Sequence, residues 1–137
     1  MRIEVSGRCS APPEAVWEWV ADPDRHIRML PDHVRNARVL ENGDMACEVT
    51  GMGMHEAMVV RIVETDPPRR MFERRVDGKR TGATEFLLEP DGGGSLVTIA
   101  TEVELPILLA RLARGPIEHA LRAQLRNLDA LSSGAGE

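Results

Sequence analysis

The spacing of apolar residues predicts one long helix near the C-terminal end, over Ile107 to Leu131. Four apolar residues recur at spacings of three or four and therefore lie on one side of that helix: Ile117, Leu121, Leu125 and Leu128. Such a stripe must be buried, and the strands that precede the helix offer the large surface it needs. Gly115-Pro116 interrupts the pattern, so we expect a kink or restart there and a separate apolar turn over Leu105 to Arg114.

The N-terminal part of the chain predicts one strand followed by two short helices. Residues Ile3 to Ser10 alternate between apolar and polar positions, which is typical of a strand. Prolines and acidic residues then favour a helix over about Pro13 to Ala21 and a second over about Pro23 to Met29, which Leu30-Pro31 ends. The first helix is expected to bury three side chains: Val16, Trp17 and Val20.

Six further segments carry the alternation or the β-branched and aromatic residues of strands. They are Val34–Leu40, Met45–Thr50, Met54–Thr65, Arg69–Val76, Thr81–Glu89 and Ser95–Leu105. Turn signals such as Asn42-Gly43 and Asp77-Gly78 separate them. The resulting order, β-α-α-β6-α, predicts an α+β fold whose strands form an antiparallel meander.

Length and charge exclude several classes of protein. The 137 residues suit one domain, which we place at residues 1–131, and the small polar residues 132–137 are expected to form a disordered tail. The net charge of −5 argues against binding to nucleic acid, which requires Lys and Arg to neutralise phosphates. The chain starts without the apolar segment of a secretory signal, and its longest apolar run is too short for a membrane span. We therefore expect a cytoplasmic protein that is a monomer or a homodimer.

The histidines and cysteines show no spacing typical of a metal or nucleophilic site. The histidines lie far apart, without an HExxH or HxH pattern, and are expected to be exposed or to cap helices: His26, His33, His55 and His119. Cys9 and Cys47 form no CxxC motif, so we expect two reduced, partly buried thiols. The sequence therefore predicts neither a metal site nor a cofactor.

Charged residues within strands are the remaining candidates for chemistry. Glu56 and Glu73 each share a strand face with apolar residues, while Arg61 and Arg75 lie on the same two strands. A carboxylate that faces an apolar interior has a raised pKa and can act as a general acid or base. A neighbouring arginine can polarise a carbonyl group. Cross-strand ion pairing on the solvent face is the alternative for the same residues, and both faces are mixed.

Several short segments carry a resemblance to a known family. They are the segment from Ala11 to Trp17, Asp22-Pro23, Leu30-Pro31, the segment from Glu64 to Arg70, and Gly94 to Thr98 at the last strand. Their order and spacing resemble the START-like, or SRPBCC, superfamily and its bacterial polyketide cyclase/dehydrase-like branch, over about residues 2–131. The resemblance implies a helix-grip fold of the Bet v 1/START-like type, in which a curved antiparallel sheet wraps around the C-terminal helix and encloses a cavity.

A cavity of this kind implies binding of a small hydrophobic or amphipathic molecule, such as a lipid, a quinone or a polyketide-like compound. We expect its walls to include Met58, Val60, Phe86, Leu88, Val97, Ile99, Ile117, Leu121 and Leu125.

Two other functions stay open. The first is a cyclase or dehydratase that uses Glu56 or Glu73 with Arg61 or Arg75. Aromatase/cyclases of this family have pockets rich in Arg, Tyr and Trp, and the absence of tyrosine from this chain weighs against that function. The second is a non-catalytic assembly module with the apolar turn Leu105 to Leu112 as its contact surface.

Overall fold

The computed structural model describes residues 1–51 and 53–134. Along the chain its helices and strands are β1 (Arg2–Cys9), α1 (Pro13–Ala21), α2 (Pro23–His26), β2 (Val34–Val39), β3 (Met45–Gly51), β4 (Met54–Asp66), β5 (Arg70–Asp77), β6 (Gly82–Asp91), β7 (Gly94–Val103) and α3 (Ile107–Ser132). A 3₁₀ turn over Ile27–Met29 extends α2. The order of elements is the predicted one, and the helix-grip α+β fold is confirmed.

The strands form one seven-stranded antiparallel sheet in the order β1-β7-β6-β5-β4-β3-β2. β1 pairs with β7, where Val5 lies opposite Ile99, so the first strand of the chain joins the sheet beside the last. Register shifts in the β2–β3 and β4–β5 pairs mark bulges, which bend and twist a sheet locally. The helices pack on one side of this sheet, with α3 against β1 and α1 against β6 and β7.

The C-terminal half of α3 packs closely on β1. Leu121, Leu125 and Leu128 are all buried there, as the spacing of the apolar stripe predicts. Gly7 of β1 permits this approach, because a Cβ atom at that position would lie 2.7 Å from Cδ2 of Leu125. Around this contact, buried side chains of the sheet and of the helices form the hydrophobic core: Ile3, Val5, Val16, Trp19, Val20, Met29, Met71, Phe86, Leu88, Val97 and Ile99.

Two local predictions need correction. α3 continues as one helix through Pro116, so it neither restarts at Gly115-Pro116 nor leaves a separate turn before that point. Proline has no backbone N–H, so the carbonyl group of Leu112 loses its helical hydrogen bond. Leu112 is 69% exposed, and water can donate to this carbonyl group instead. In α1 the more deeply buried tryptophan is Trp19, at 5% exposure, whereas Trp17 is only partly buried against the core.

Two predictions fall partly outside the described residues. The connection between β3 and β4 includes Met52, and the expected disordered tail includes residues 135–137; both lie outside the described part of the chain. Ser132, predicted to begin that tail, is the last residue of α3. Among the described helices, none is long and apolar enough to cross a membrane.

Candidate functional site

A cavity of about 150 Å³ lies between the sheet and the helices. Strands β3 to β7, together with Val34 of β2, supply one wall. The opposite wall comes from Ile27 and Leu30, in and just after the 3₁₀ turn, and from Gln124 of α3. The cavity therefore forms where the helices stand off the sheet.

Strand alternation and register decide which side chains reach this cavity. Cys47 pairs with Met58 and Met45 pairs with Val60, so these four side chains share one face of the sheet. Val60 in turn pairs with Arg75 of β5. Because successive side chains of a strand alternate between faces, Glu73 lies on the same face as Arg75.

Glu73 and His26 form a buried pair at the cavity wall. Their side chains are 11% and 2% exposed, and Nε2 of His26 lies 3.5 Å from Oε2 of Glu73. On its other side, Nδ1 of His26 lies 2.8 Å from the carbonyl oxygen of Val20. The ring also packs edge-on against Phe86, with centroids 5.5 Å apart. These contacts fix the orientation of the imidazole.

Burial controls the chemistry of Glu73. Removal from water raises the pKa of this carboxyl group, and the electrostatic interaction with His26 opposes that effect only in part. Oε2 of Glu73 is a buried side-chain oxygen without a hydrogen-bond partner among the described residues. A buried carboxyl group with a raised pKa at a cavity wall is typical of a functional site.

The local fold around α2 brings His26 to this position. Asp22 caps the helix by accepting a hydrogen bond from the backbone N–H of Asp24, and Pro23 occupies its first turn. His26 and Met29 are then the buried residues of the helical segment that follows. The expectation that all four histidines are exposed or capping is therefore wrong for His26. The spacing of three residues between His26 and Met29 places both on one side of a helix, and this pattern could have indicated that His26 is buried.

Arg75 stands beside Glu73 in a second charged group. Nη1 of Arg75 lies 3.6 Å from Glu56, whose other oxygen accepts a hydrogen bond of 2.7 Å from Arg80. Burial lowers the pKa of Arg75, and the negative charge of Glu56 opposes that change. The structure thus brings Glu56, Glu73 and Arg75 to the cavity side of the sheet, with Glu56 engaged by two arginines.

The structure does not bring Arg61 to this group. Arg61 alternates with Val60 on β4 and therefore points to the convex face of the sheet. There its Nε and Nη2 donate hydrogen bonds of 3.0 and 2.9 Å to the carboxylate of Asp44. This pairing lowers the pKa of Asp44 and gives Arg61 the role of a surface ion-pair partner.

Of the predicted cavity walls, Met58 and Val60 line the cavity. Another six residues are buried in the core instead: Phe86, Leu88, Val97, Ile99, Leu121 and Leu125. Ile117 is partly buried against that core. α1 and α3 pack over the parts of β6 and β7 that carry Phe86, Leu88, Val97 and Ile99. Gln124, Thr84 and Thr101 line the cavity and were not anticipated.

A larger depression of about 830 Å³ lies mainly on the convex face, over Ala46, Glu48 and Ala57. It is more open and lacks a counterpart of the buried Glu73. We therefore take the smaller cavity as the candidate site. The described residues contain no group of three or more His, Cys, Asp or Glu side chains that could hold a metal ion.

Comparisons with known proteins agree with this architecture. The family described as "Polyketide cyclase / dehydrase and lipid transport" matches residues 1–132. A search of curated proteins finds no match.

Solved structures show the same fold at low sequence identity. A protein from Thermus thermophilus is 18% identical, with 100% of each chain covered and a TM-score of 0.86. A START superfamily protein from Mycobacterium smegmatis is 17% identical over 95% of this chain and 98% of the other, with a TM-score of 0.71. A conserved protein from Geobacillus kaustophilus is 12% identical over 98% and 97% of the two chains, with a TM-score of 0.77. At these identities the likeness concerns the fold alone.

Proposed function

The chain belongs to the polyketide cyclase / dehydrase and lipid transport family, and we propose that it binds a small amphipathic molecule in the cavity beneath β3 to β7. The polar end of the ligand lies at Glu73 and Arg75. The observation that carries this proposal is the buried Glu73 carboxyl group at the cavity wall, whose Oε2 lacks a hydrogen-bond partner among the described residues. Buried polar groups are normally paired, and an unpaired one at a cavity calls for a ligand.

The apolar part of the ligand lies against the apolar residues of the same cavity. Met45, Met58 and Val60 line it from the strands, and Ile27 and Leu30 line it from the helical side. Methionine side chains adapt to ligands of different shape.

The volume of the cavity limits the size of the ligand. Pockets for drug-sized ligands span roughly 300–1,000 Å³, whereas this one has about 150 Å³. A compact molecule fits completely. Of a longer lipid, quinone or polyketide-like compound, only one end is accommodated in this conformation.

A matched pair of filling variants tests the site. In Val60→Trp a bulky side chain enters the cavity, whereas in Val59→Trp, one residue away on β4, it enters the convex face. We expect Val60→Trp to remove the thermal shift that ligands from a panel of small phenols, quinones and short-chain lipids produce, and Val59→Trp to retain it. Circular dichroism confirms that each variant is folded, and Val60→Phe serves if the larger residue is not tolerated. Loss of binding in Val59→Trp alone would place the ligand in the convex depression and refute the proposal.

A second candidate function is acid–base catalysis on the bound molecule, favoured by the raised pKa of Glu73 next to a half-buried arginine. In its carboxylate form, Glu73 would remove a proton from the carbon next to a carbonyl group, and Arg75 would stabilise the negative oxygen that forms. Glu73→Gln should abolish turnover of a β-dicarbonyl substrate. Glu64→Gln, at a carboxylate that is 62% exposed, should not. Full activity in Glu73→Gln excludes this chemistry.

A third candidate, an assembly module, is favoured by the first turns of α3. Ile107, Leu108 and Leu112 are 75%, 77% and 69% exposed there. Sedimentation velocity at increasing protein concentration would show self-association that Leu108→Lys removes. A monomer at all concentrations would exclude self-assembly through this surface.

A further inference from the structure

The charged side chains beside Glu73 do not balance one another. Oε1 of Glu56 accepts a hydrogen bond of 2.7 Å from Nε of Arg80, and Oε2 of Glu56 lies 3.6 Å from Nη1 of Arg75. The single carboxylate of Glu56 is thus shared between two guanidinium groups. Its closer contact is with Arg80, so the charge of Arg75 is compensated only in part. The three side chains together carry a net positive charge on the cavity side of the sheet.

Arg75 also has hydrogen-bond donors without an acceptor. A guanidinium group carries several N–H donors, and within the described part of the chain that of Arg75 makes a single hydrogen bond, from Nη1 to the carbonyl oxygen of Arg80 at 3.4 Å. Its side chain lines the cavity and is only 14% exposed, so bulk water reaches little of it. A charged group in this position is stabilised by an acceptor that enters the cavity.

Glu73 does not supply that acceptor as an anion. Among the described residues, its carboxyl group lies within ion-pair distance of His26 but not of Arg75, and its Oε2 makes no hydrogen bond. Burial raises the pKa of Glu73, which favours the neutral carboxyl group. A neutral carboxyl group has one O–H to donate. The wall therefore offers an excess positive charge at Arg75 and an O–H donor at Glu73.

The rest of the cavity wall adds no negative charge. Among the described residues that line the cavity, Glu73 is the only acidic one. Burial raises the pKa of Cys47, which keeps this thiol uncharged. On the opposite wall Gln124, which is 8% exposed, has an amide N–H that can donate a hydrogen bond into the cavity. An anion in this space meets donors and no fixed carboxylate that repels it.

We propose that the ligand is a small carboxylic acid, bound as its carboxylate, whose oxygens accept hydrogen bonds from Arg75 and from the carboxyl group of Glu73. This inference rests on the proposed binding function and specifies the class of ligand. A carboxylate matches the planar fork of a guanidinium group, and its single charge balances the excess charge of the wall. The hydrogen bond between a neutral carboxyl group and a carboxylate is also a strong one.

Matched probes of similar shape and different charge test the inference on the intact protein. Benzoate, benzyl alcohol and benzylammonium share an aromatic ring and differ in the charge of one substituent. Hexanoate and hexan-1-ol repeat the comparison with a flexible chain. At pH 7 we expect each carboxylate to bind at least about tenfold more tightly than the matching alcohol, the effect of one charge-assisted hydrogen bond. Benzylammonium should bind more weakly than benzyl alcohol. Dissociation constants come from NMR titrations that follow the methionine methyl groups in the cavity.

Two neighbouring arginines of β5 locate the positive charge. Arg75→Leu removes the guanidinium group from the cavity wall, so the preference for benzoate over benzyl alcohol should fall to within about twofold. Arg74→Leu removes an equal charge from the convex face, where the guanidinium group lies over the ring of Phe72, and should keep the preference. Circular dichroism confirms that each variant is folded, and Arg75→Gln serves if leucine is not tolerated. A preference that persists in Arg75→Leu, or that is lost in Arg74→Leu alone, would overturn the role of Arg75.

Variants of Glu73 show whether it meets the ligand as a neutral donor. Glu73→Leu removes the O–H and should weaken the binding of benzoate about tenfold. Glu73→Gln replaces the O–H with a neutral N–H donor and should bind benzoate more tightly than Glu73→Leu does. If Glu73 were instead a carboxylate that repels anions, both variants would bind benzoate more tightly than the unmodified protein, and this result would overturn the donor role.

The outcomes separate this inference from the proposed binding function. If benzoate binds no more tightly than benzyl alcohol, and Val60→Trp removes the binding of both, the cavity binds ligands but the carboxylate preference is refuted. If no probe binds, or Val60→Trp leaves binding unchanged, the proposed site itself is refuted together with the inference.

Discussion

The two halves of the sheet are built from similar residues but are used differently. Over β1, β6 and β7 the helices lie directly on the sheet, and side chains such as Phe86, Val97 and Leu128 are fully buried. Over β3 and β4 the same face carries Met58 and Val60, which are only partly covered and line the cavity. The comparison shows that apolar residues on one face of a sheet do not define a cavity; the position of the covering helix does.

The largest difference between the halves concerns their contribution to stability. Leu128→Ala removes a side chain with no exposed surface and should lower the free energy of unfolding by about 2–5 kcal/mol. Val60→Ala, at the cavity wall, should cost less than about 1.5 kcal/mol, because the missing atoms border existing space. Urea unfolding followed by circular dichroism measures both. Equal losses would mean that the two halves are packed alike.

The two thiols provide a chemical test of the same contrast. Cys9 is fully buried and burial raises its pKa to about 12, whereas Cys47 is partly exposed and lines the cavity. In the folded protein at alkaline pH a small alkylating reagent should modify Cys47 on the order of a hundredfold faster than Cys9. Mass spectrometry of timed samples gives both rates. A bound ligand should slow the reaction at Cys47, and faster modification of Cys9 would contradict the assignment of the packed half.

The pH dependence of stability should distinguish Glu73 from exposed carboxylates. Because its pKa is raised in the folded state, its protonation stabilises the fold fully below its ordinary pKa of 4.5, and this contribution is lost as pH rises through the raised value. Glu73→Gln removes the loss, so its stability relative to the unmodified protein should increase between pH 4.5 and pH 8. Unfolding curves at several pH values measure the difference. His26, Arg75 and Cys47 face the same space, so Glu89→Gln on the exposed side serves as the control.

The smallest effect is expected at the convex face. Arg61→Leu breaks the contact with Asp44 but leaves the cavity unchanged, so the affinity for a phenol probe should stay within about twofold. Arg75→Leu, on the cavity side, should weaken the affinity for this probe more than Arg61→Leu does. Isothermal titration calorimetry measures the affinity of each variant. A larger loss of affinity in Arg61→Leu would show that the two faces are coupled.

The fold was predictable from the sequence because its signals are local and redundant. Caps, turns and alternation delimit the elements, and the stripe of Leu121, Leu125 and Leu128 identifies the buried side of α3. The position of the cavity was not predictable in the same way. It depends on where α3 leaves the sheet, and Phe86 and Met58 both look like inward-facing strand residues in the sequence.

The site was predictable only in part. Glu73 and Arg75 were candidates, but alternation alone could not separate Arg75 from Arg61, because both faces of β4 and β5 carry charged residues. The β4–β5 register, shifted by bulges, decides which strand faces meet. His26 reaches Glu73 from a helix that lies far away along the chain, and no local pattern encodes such a contact.

The pairing of β1 with β7 has a consequence for the time course of folding. Arg2 lies opposite Glu102 and Cys9 opposite Ser95, so the contacts of this pair span most of the chain. Pairing of residues so far apart requires closure of a long loop and is slow. During synthesis β1 is made before the other strands of the sheet and stays without its partner until β7, the last of them, has been made. Its edge is therefore the surface of the nascent chain most in need of protection from aggregation.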